Sequence, residues 1–261
     1  GDLWTSQDRG VLSWKFDGAK GFQSLTHESG MLLDRRLNRP LRQLDKTADG
    51  EKLIVVCHHS DEALVVDRND QQQVAMTLAC RFQMNVSISP GGQLAAVGTS
   101  HGSDIHVFEL ATGTKIQQLR TSGWSTPTFS LDGKQLFGGA RTTLTHWSTD
   151  DWRVLYEMPA NVTSGGALTG LSEGKQMGAV FVDSGAIRLI RISDGAELCT
   201  LTPPTNLTKV GSLCFSPDNK FLSVSCGARG LCIWDLSTIR RRLAEHGLDW
   251  QPSSQSNSLE P

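Results

Sequence analysis

The chain has 261 residues, of which 38% are hydrophobic and 20% are charged, and its formal net charge is -2. This is the composition of an ordinary globular protein, and the absence of a basic excess argues against nucleic acid as a partner. No apolar run approaches the ~18 residues that a membrane-spanning helix needs, so a membrane partner is not expected either.

The first predicted elements are two short alternating strands, residues 3–6 and 11–16, and the second of them contains Trp14. They are interpreted as part of one sheet whose first strand is missing. Residues 17–40 follow as a longer and more irregular connection. The basic cluster at 34–39 within it is predicted to be a solvated loop, with a ligand-binding insertion as the alternative.

From residue 47 onward a sequence motif recurs, in which a polar turn that begins with Ser or Thr separates two apolar runs. The last turn residue of each copy serves as an anchor, and the anchors are Gly50, Gly92, Gly133, Gly174 and Asn219. Successive anchors lie 42, 41, 41 and 45 residues apart. Gly and Asn tolerate the positive φ that a tight reversal between antiparallel strands requires. A period of ~40–45 residues is typical of the four-stranded blades of a β-propeller.

The segments after each anchor support strands and not helices. A buried apolar run such as residues 53–57 follows directly, as in a strand that is covered on both faces. About fifteen residues past each anchor an alternating strand ends in an apolar closing residue. These closing residues are Val66, Phe108, Trp147, Ile190 and Trp234. Outside the C-terminal tail no helical i, i+3, i+4, i+7 pattern persists without Gly or Pro, which excludes a helical solenoid.

The fifth copy reads Leu-Cys-Phe-Ser-Pro-Asp-Asn-Lys-Phe-Leu-Ser-Val at 213–224 and Gly-Leu-Cys-Ile-Trp-Asp-Leu at 230–236. It resembles the WD40 family in its F-S-P-D-G and I-W-D-L phrases. The resemblance covers nearly the whole chain, and it implies an all-β propeller of four-stranded antiparallel blades. No copy carries the family's Gly-His pair, so the hydrogen-bond network built on that His is expected to be mostly absent.

The domain prediction follows from this repeat. Residues 1–236 are expected to form the WD40-like propeller, with six blades; a seven-bladed ring truncated at the N-terminus is the alternative. Residues 237–250 are predicted to contain a helix packed on the propeller. In that helix Ser237 is the expected cap and Gly247 the expected stop. Residues 251–261 have the composition of a disordered tail.

The C-terminal string WDLSTIRRRLAEHGLDW is similar to the ending of many bacterial WD40 proteins, some of which carry a serine/threonine kinase domain upstream. The resemblance implies that the chain is a regulatory or sensor module of a larger protein. An upstream domain in the same polypeptide is then a possible partner.

Six cysteines are present, none of them in a C-x-x-C pair, and most of them within apolar strand-like runs. They are interpreted as small buried hydrophobic residues in a reducing compartment, which favours a cytoplasmic location.

Catalytic motifs are missing from the sequence. It contains no G-x-S-x-G, H-E-x-x-H or P-loop, and no dinucleotide fingerprint lies between a strand and a helix. His58 and His59 are adjacent, and neighbouring residues of a strand point to opposite faces, so a shared metal is not expected. We therefore expect neither an enzyme nor a cofactor. A propeller enzyme with a metal or cofactor in the central channel remains the alternative, with His101 and Asp183 as further donors.

The remaining hypothesis is a scaffold that binds a protein or peptide, because Trp and Arg contribute most to interface energies. Propeller topology is expected to gather equivalent loops on one rim, where Trp124 could anchor a peptide or instead pack between blades. The candidate rim residues are Trp124, Arg141, Arg229, His59, His101, Asp183 and Gln83.

Overall fold

In the computed structural model of the chain, residues with a defined placement cover most of the sequence. They are 2–7, 10–16, 25–31, 41–57, 60–67, 74–81, 83–140, 142–159, 169–171, 177–182, 186–202, 213–216, 218–225 and 231–249. The chain divides into two compact units, Gly1–Ala167 and Leu168–Pro261, and each unit is described by itself.

The first unit contains four antiparallel sheets in its described residues, and each sheet is a simple meander. Sheet 1 comprises β1 (Asp2–Gln7), β2 (Gly10–Phe16) and β3 (Leu25–Met31). Sheet 2 comprises β4 (Leu41–Lys46), β5 (Lys52–Cys57), β6 (Glu62–Asp67) and β7 (Val74–Ala79). Sheet 3 comprises β8 (Gln83–Ile88), β9 (Leu94–Thr99), β10 (Asp104–Glu109) and β11 (Lys115–Arg120). Sheet 4 comprises β12 (Thr126–Phe129), β13 (Gln135–Gly139), β14 (Thr143–Ser148) and β15 (Val154–Pro159).

The second unit contains two further antiparallel meanders and one helix in its described residues. Sheet 5 comprises β16 (Thr169–Leu171), β17 (Met177–Phe181), β18 (Ile187–Arg191) and β19 (Glu197–Leu201). Sheet 6 comprises β20 (Leu213–Phe215), β21 (Phe221–Ser225) and β22 (Leu231–Asp235), and the helix α1 (Leu236–Ala244) follows it. Sheets 2 to 5 each have four strands, whereas the described strands of sheets 1 and 6 number three.

The turn between the first and second strands of a sheet explains the repeated sequence motif. In sheet 4 the Ser130 hydroxyl lies 2.6 Å from Asp132 Oδ1, and that carboxylate oxygen accepts the Lys134 N–H. The Gln135 N–H donates to Ser130 Oγ, while Gly133 adopts a φ of +70°. The side chains thus satisfy the turn backbone, and the positive φ explains the Gly at the anchor position.

Three other turns repeat this arrangement in whole or in part. Thr47 and Asp49, and Ser216 and Asp218, make the same hydroxyl–carboxylate contact at 2.5 and 2.6 Å. Hydrogen bonds from these hydroxyls are the largest cause that lowers the pKa of Asp49 and of Asp218. In the remaining described turn Ser89 keeps its bond from the Leu94 N–H. The turn aspartates therefore have a structural role. The fourth copy, at 172–176, lies outside the described residues.

Neighbouring sheets of the first unit are joined through their first strands, β4, β8 and β12, which lie side by side. Gln43 and Asp45 on β4 accept the N–H groups of Val86 and Ile88 on β8, at 3.1 and 2.9 Å. Ser87 on β8 then accepts the Phe129 N–H of β12 at 3.2 Å. Polar side chains of one first strand thus supply partners for backbone N–H groups of the next, which would otherwise be unsatisfied at a strand edge.

Second strands form the apolar centre of the sheets. All of β17 is buried, and every residue after the first is buried in β5, β9 and β13. One cluster packs Ala96, Ile105 and Val107 of sheet 3 against Leu136 and Trp147 of sheet 4. Burial on both faces accounts for the continuous apolar runs that the sequence contains.

The helix of the second unit begins earlier than predicted and has a different cap. Asp235, and not Ser237, is the N-cap, because its carboxylate accepts the N–H and hydroxyl of Thr238 and the hydroxyl of Ser237. The predicted stop at Gly247 is confirmed. That glycine has a φ of +69°, and the Leu248 N–H donates to Leu243 O in the Schellman pattern.

The all-β class, the four-stranded antiparallel sheets and the short C-terminal helix are therefore confirmed. None of the described helical residues forms a helix long and apolar enough to cross a membrane. The tail at 251–261 lies outside the described residues.

Candidate binding surface at the loop end

Connections of two kinds meet at one end of the sheets in the first unit, which we call the loop end. They are the loops between second and third strands and the links from one sheet to the next. The meander topology dictates this, because alternate reversals of an antiparallel sheet fall at the same edge. The three predicted rim residues that the structure describes, Trp124, His101 and Gln83, belong to, or border, connections of these two kinds.

Trp124 lies at the loop end, in the link between β11 and β12, and 46% of its surface is exposed. This contrasts with Trp147, which is 3% exposed within the core between sheets 3 and 4. The Trp124 side chain therefore presents about half of its surface to solvent, and its role as an anchor stays a prediction.

The residue after Trp124 fixes the link in place. Ser125 is fully buried, and its hydroxyl donates to Asp104 O at 2.9 Å and accepts the Thr99 N–H at 3.3 Å. The Asn85 side-chain amide donates to Ser125 O at 3.3 Å. Buried polar groups with several partners hold one conformation. The tryptophan therefore projects from a backbone anchored on β8 and on the 99–104 loop.

Gly98 makes this anchoring possible. A Cβ atom at Gly98 would overlap Ser125 O and would lie 2.9 Å from the Pro127 ring. The absence of a side chain on β9 thus allows the close approach of the Trp124 link.

The link is also tied to the next loop along the chain. Ser122 Oγ lies 2.9 Å from Thr143 Oγ1 and accepts the Thr142 N–H at 3.3 Å. On the other side, the Thr121 N–H donates to Ser103 O at 2.7 Å. Three successive connections of the loop end are consequently joined by hydrogen bonds around Trp124.

Two other predicted rim residues are described. His101 is exposed in the loop between β9 and β10, with its Nδ1 atom 2.9 Å from the Ser100 hydroxyl. Gln83 lies beneath the surface and not on it. It is only 5% exposed, and its side-chain amide donates to Ser60 O at 3.2 Å and to Glu62 O. Its role is to hold the 60–62 loop.

The other four predicted rim residues, His59, Arg141, Asp183 and Arg229, lie outside the described residues. Sequence reasoning also missed residues that build the surface, namely Gly98, Thr99, Ser122 and Ser125. Small and hydroxyl residues are frequent in any all-β chain. No sequence signal separates those with a tertiary role from the rest.

Among the described residues, Cys80 Sγ and His106 Nδ1 lie 3.6 Å apart and are a candidate reactive pair. Burial raises the pKa of the Cys80 thiol to about 12 and lowers the pKa of His106. A thiol that stays protonated is neither a strong nucleophile nor a metal ligand. Among the described residues no cluster of three or more His, Cys, Asp or Glu could hold a metal ion.

Antiparallel four-stranded sheets with adjacent first strands define a β-propeller-like fold. No family model and no curated protein matches the chain in sequence. Among solved structures the chain is similar to one from Kuenenia stuttgartiensis titled hydrazine synthase, at 15% identity and a TM-score of 0.63. The match covers 70% of this chain and 55% of that one, so the chain spans little more than half of that protein. At this identity the likeness bears on the fold alone.

Proposed function

We propose that this chain is a non-catalytic binding scaffold that takes a protein or peptide segment on its loop end. The observation that carries the proposal is the exposed Trp124 on a backbone held by buried hydrogen bonds. A rigid, exposed aromatic residue binds with little loss of conformational freedom, which is why tryptophan dominates many interfaces.

The finer assignment within this proposal is a WD40-like propeller with six blades. It is supported by the repeated Ser/Thr–Asp turns and by closing residues of equivalent register, Leu136↔Trp147 and Leu222↔Trp234. The chain lacks the family's Gly-His pair. The first-strand hydrogen bonds from Val86 to Gln43 and from Ile88 to Asp45 provide a different link between sheets.

A regulatory role for an upstream domain of the same polypeptide is the second candidate. It is supported by the C-terminal string that resembles bacterial WD40 endings. Residues 235–249 of this string form the capped helix α1 and the turn that ends it. Arg240 makes a two-point ion pair with Asp249, with both N–O distances at 3.0 Å. A cytoplasmic location forms part of either proposal and is supported by the buried thiols of Cys57 and Cys80.

The test is a peptide-display selection on the full chain, followed by affinity measurements on the enriched peptides with Trp124→Ala. We expect Trp124→Ala to weaken binding by about 10- to 100-fold, the range typical of a tryptophan hot spot. Leu131→Ala is the matched control. Leu131 is 53% exposed, but it lies in a turn at the opposite end of the same unit.

Equal binding by the wild type and Trp124→Ala would contradict the proposal if both unfold at the same urea concentration. Equal losses in Trp124→Ala and Leu131→Ala would also contradict it, because the peptide would then not recognise the loop end.

A further inference from the structure

Arg42 holds an unusual position in the ladder of sheet 2. It is the second residue of β4, and the register of β4 against β5 shifts between Leu41 and Gln43. The same shift occurs between Gln83 and Asn85 on β8. A bulge of this kind turns one side chain out of the regular alternation of a strand. Arg42 is therefore the bulged residue at the loop end of β4.

The repeat shows what this position carries in the other copies. Arg42 lies eight residues before the anchor of its copy, and the residues at the same offset in the next two copies are Met84 and Ser125. Ser125 is fully buried. The last two copies have glycine at this offset, Gly166 and Gly211. The copy of sheet 2 is thus the one of the five that places a charge at this position.

The charge of Arg42 is partly removed from water, and no described carboxylate compensates it. The side chain is half-buried, and this burial lowers the pKa of the Arg42 guanidinium. It makes no ion pair or hydrogen bond with the described residues. The acidic residue of the same strand, Asp45, accepts the N–H groups of Lys46 and Ile88 instead. A desolvated charge costs stability until an opposite charge pairs with it.

Hydrogen bonds across β8 connect the surroundings of Arg42 with the Trp124 link. The residue after Arg42, Gln43, accepts a backbone N–H of β8 at 3.1 Å. From β8 the Asn85 side-chain amide donates at 3.3 Å to the carbonyl of the residue that follows Trp124. One strand therefore separates the arginine from the tryptophan link. An extended segment of about six residues spans ~20 Å, which is enough to extend across one strand.

We propose that Arg42 binds a carboxylate of the same protein or peptide segment that contacts Trp124, which makes the partner an acidic segment. The inference rests on the proposed function, because it adds a second contact to the loop end. A guanidinium pairs with a carboxylate through two parallel N–H···O bonds, and the two charges balance one to one. The carboxylate belongs either to an Asp or Glu side chain or to the C-terminus of the segment.

The first probe is acetate, which carries the carboxylate alone. It is titrated into the full chain at constant ionic strength while NMR follows the Nε–H resonances of the arginines. We expect a saturating shift for Arg42 and none for Arg240, the internal control, because Asp249 already pairs with Arg240 through two N–O contacts of 3.0 Å. Equal responses of the two arginines would overturn the proposal.

The acetate titration needs no peptide. A failed peptide selection would therefore contradict the proposed function, whereas a failed acetate titration would contradict the carboxylate site.

The protein variant is Arg42→Met, because Met84 already occupies the equivalent bulge of β8. The probes are peptides enriched by display on the wild type. We expect Arg42→Met to weaken their binding about tenfold, the loss typical of a charge-assisted hydrogen bond. It should unfold at a urea concentration no lower than the wild type, since it removes an uncompensated charge.

Changes in the peptide identify the carboxylate. Replacing an acidic side chain of the peptide by its amide, or amidating its C-terminus, should weaken binding to the wild type and leave binding to Arg42→Met unchanged. Lys134→Met is the control for net charge, because Lys134 is exposed in a turn at the opposite end of the unit. Equal weakening in Lys134→Met would overturn the proposal. Unfolding of Arg42→Met at a lower urea concentration than the wild type would also overturn it, because the arginine would then have a structural role.

Discussion

Sheets 4 and 6 place chemically opposite residues at the same backbone position. His146 and Ile233 each precede the closing tryptophan, yet the histidine is 1% exposed and the isoleucine is 56% exposed. The residues that pair with them on the second strands differ in exposure in the same direction. Phe137, opposite His146, is fully buried, and Ser223, opposite Ile233, is half-buried. The difference teaches that the polarity of the residue at this position does not decide whether its side chain is buried.

The largest expected difference between the two sheets concerns their closing tryptophans. We expect Trp147→Ala to lower the free energy of unfolding by about 3–5 kcal/mol, because the ring is buried in the cluster with Ile105 and Leu136. Trp234→Ala should have less than half of that effect, because this ring is only half-buried. Urea unfolding measures both. Equal losses of unfolding free energy in Trp147→Ala and Trp234→Ala would contradict the difference between the two sheets.

The buried His146 should make sheet 4 sensitive to mild acid. The His146 ring stacks on Phe137 at 4.2 Å and meets the Tyr156 ring edge-on at 4.6 Å, and neither ring nitrogen has a hydrogen-bond partner among the described residues. Burial lowers the pKa of His146 from 6.5 to about 4. The unfolded chain therefore binds the proton more readily, so stability falls as pH drops from about 6.5 to 4.

A shift of this size corresponds to at most about 3 kcal/mol. We expect His146→Phe to remove this part of the acid loss, measured as unfolding free energies at pH 7.5 and pH 4.5. Ile233→His provides the matched control at the equivalent exposed position and should add no comparable dependence. An unchanged pH profile in His146→Phe would show that other groups cause the loss.

The smallest expected effect is at the residue after each tryptophan. In sheet 4 this is Ser148, whose N–H donates to Arg153 O and begins a hairpin, whereas in sheet 6 it is the helix cap Asp235. We expect Asp235→Ala to lower the Tm by roughly 2–4 °C, as for loss of an N-cap. Asp235→Asn should retain most of the Tm, because an amide oxygen also caps.

The cap also has a pH signature of its own. Hydrogen bonds from Ser237 and Thr238 lower the pKa of Asp235 to about 2. Its stabilisation is therefore present above the ordinary carboxyl pKa and is lost as pH falls toward 2. A cap effect of equal size at pH 2 and pH 6 would contradict this assignment.

The repeat and the turns could be predicted from the sequence because their chemistry is local. Ser130, Asp132 and Gly133 bond within a span of five residues, so the pattern recurs in the sequence wherever it recurs in the fold. The helix cap was mispredicted because Asp235 and Ser237 are both good caps. The outcome depended on how far β22 extends.

The loop-end surface could be predicted only in part. Trp124 was proposed from its residue type, and its binding role stays a prediction. The hydrogen bonds that hold its backbone could not be predicted, because Thr99 and Ser125 are 26 residues apart in the chain. Gln83 was placed on the surface because its position in the repeat matched Trp124. Equivalent position does not determine exposure, as His146 and Ile233 also demonstrate.

The bonds that run from Asp45 to Ile88 and from Ser87 to Phe129 bear on how such a chain can evolve. Sheets 2 and 3 carry side chains that accept hydrogen bonds from the backbone of the next sheet, so a duplicated or transplanted copy of either sheet would meet a different partner at that border. Burial raises the pKa of Asp45, and the Ile88 N–H opposes that rise. A copy inserted after sheet 2 without this donor would leave the Asp45 carboxylate with the Lys46 N–H but without the Ile88 N–H. Lineages of this protein should therefore gain or lose repeats less readily than they exchange residues at the loop end.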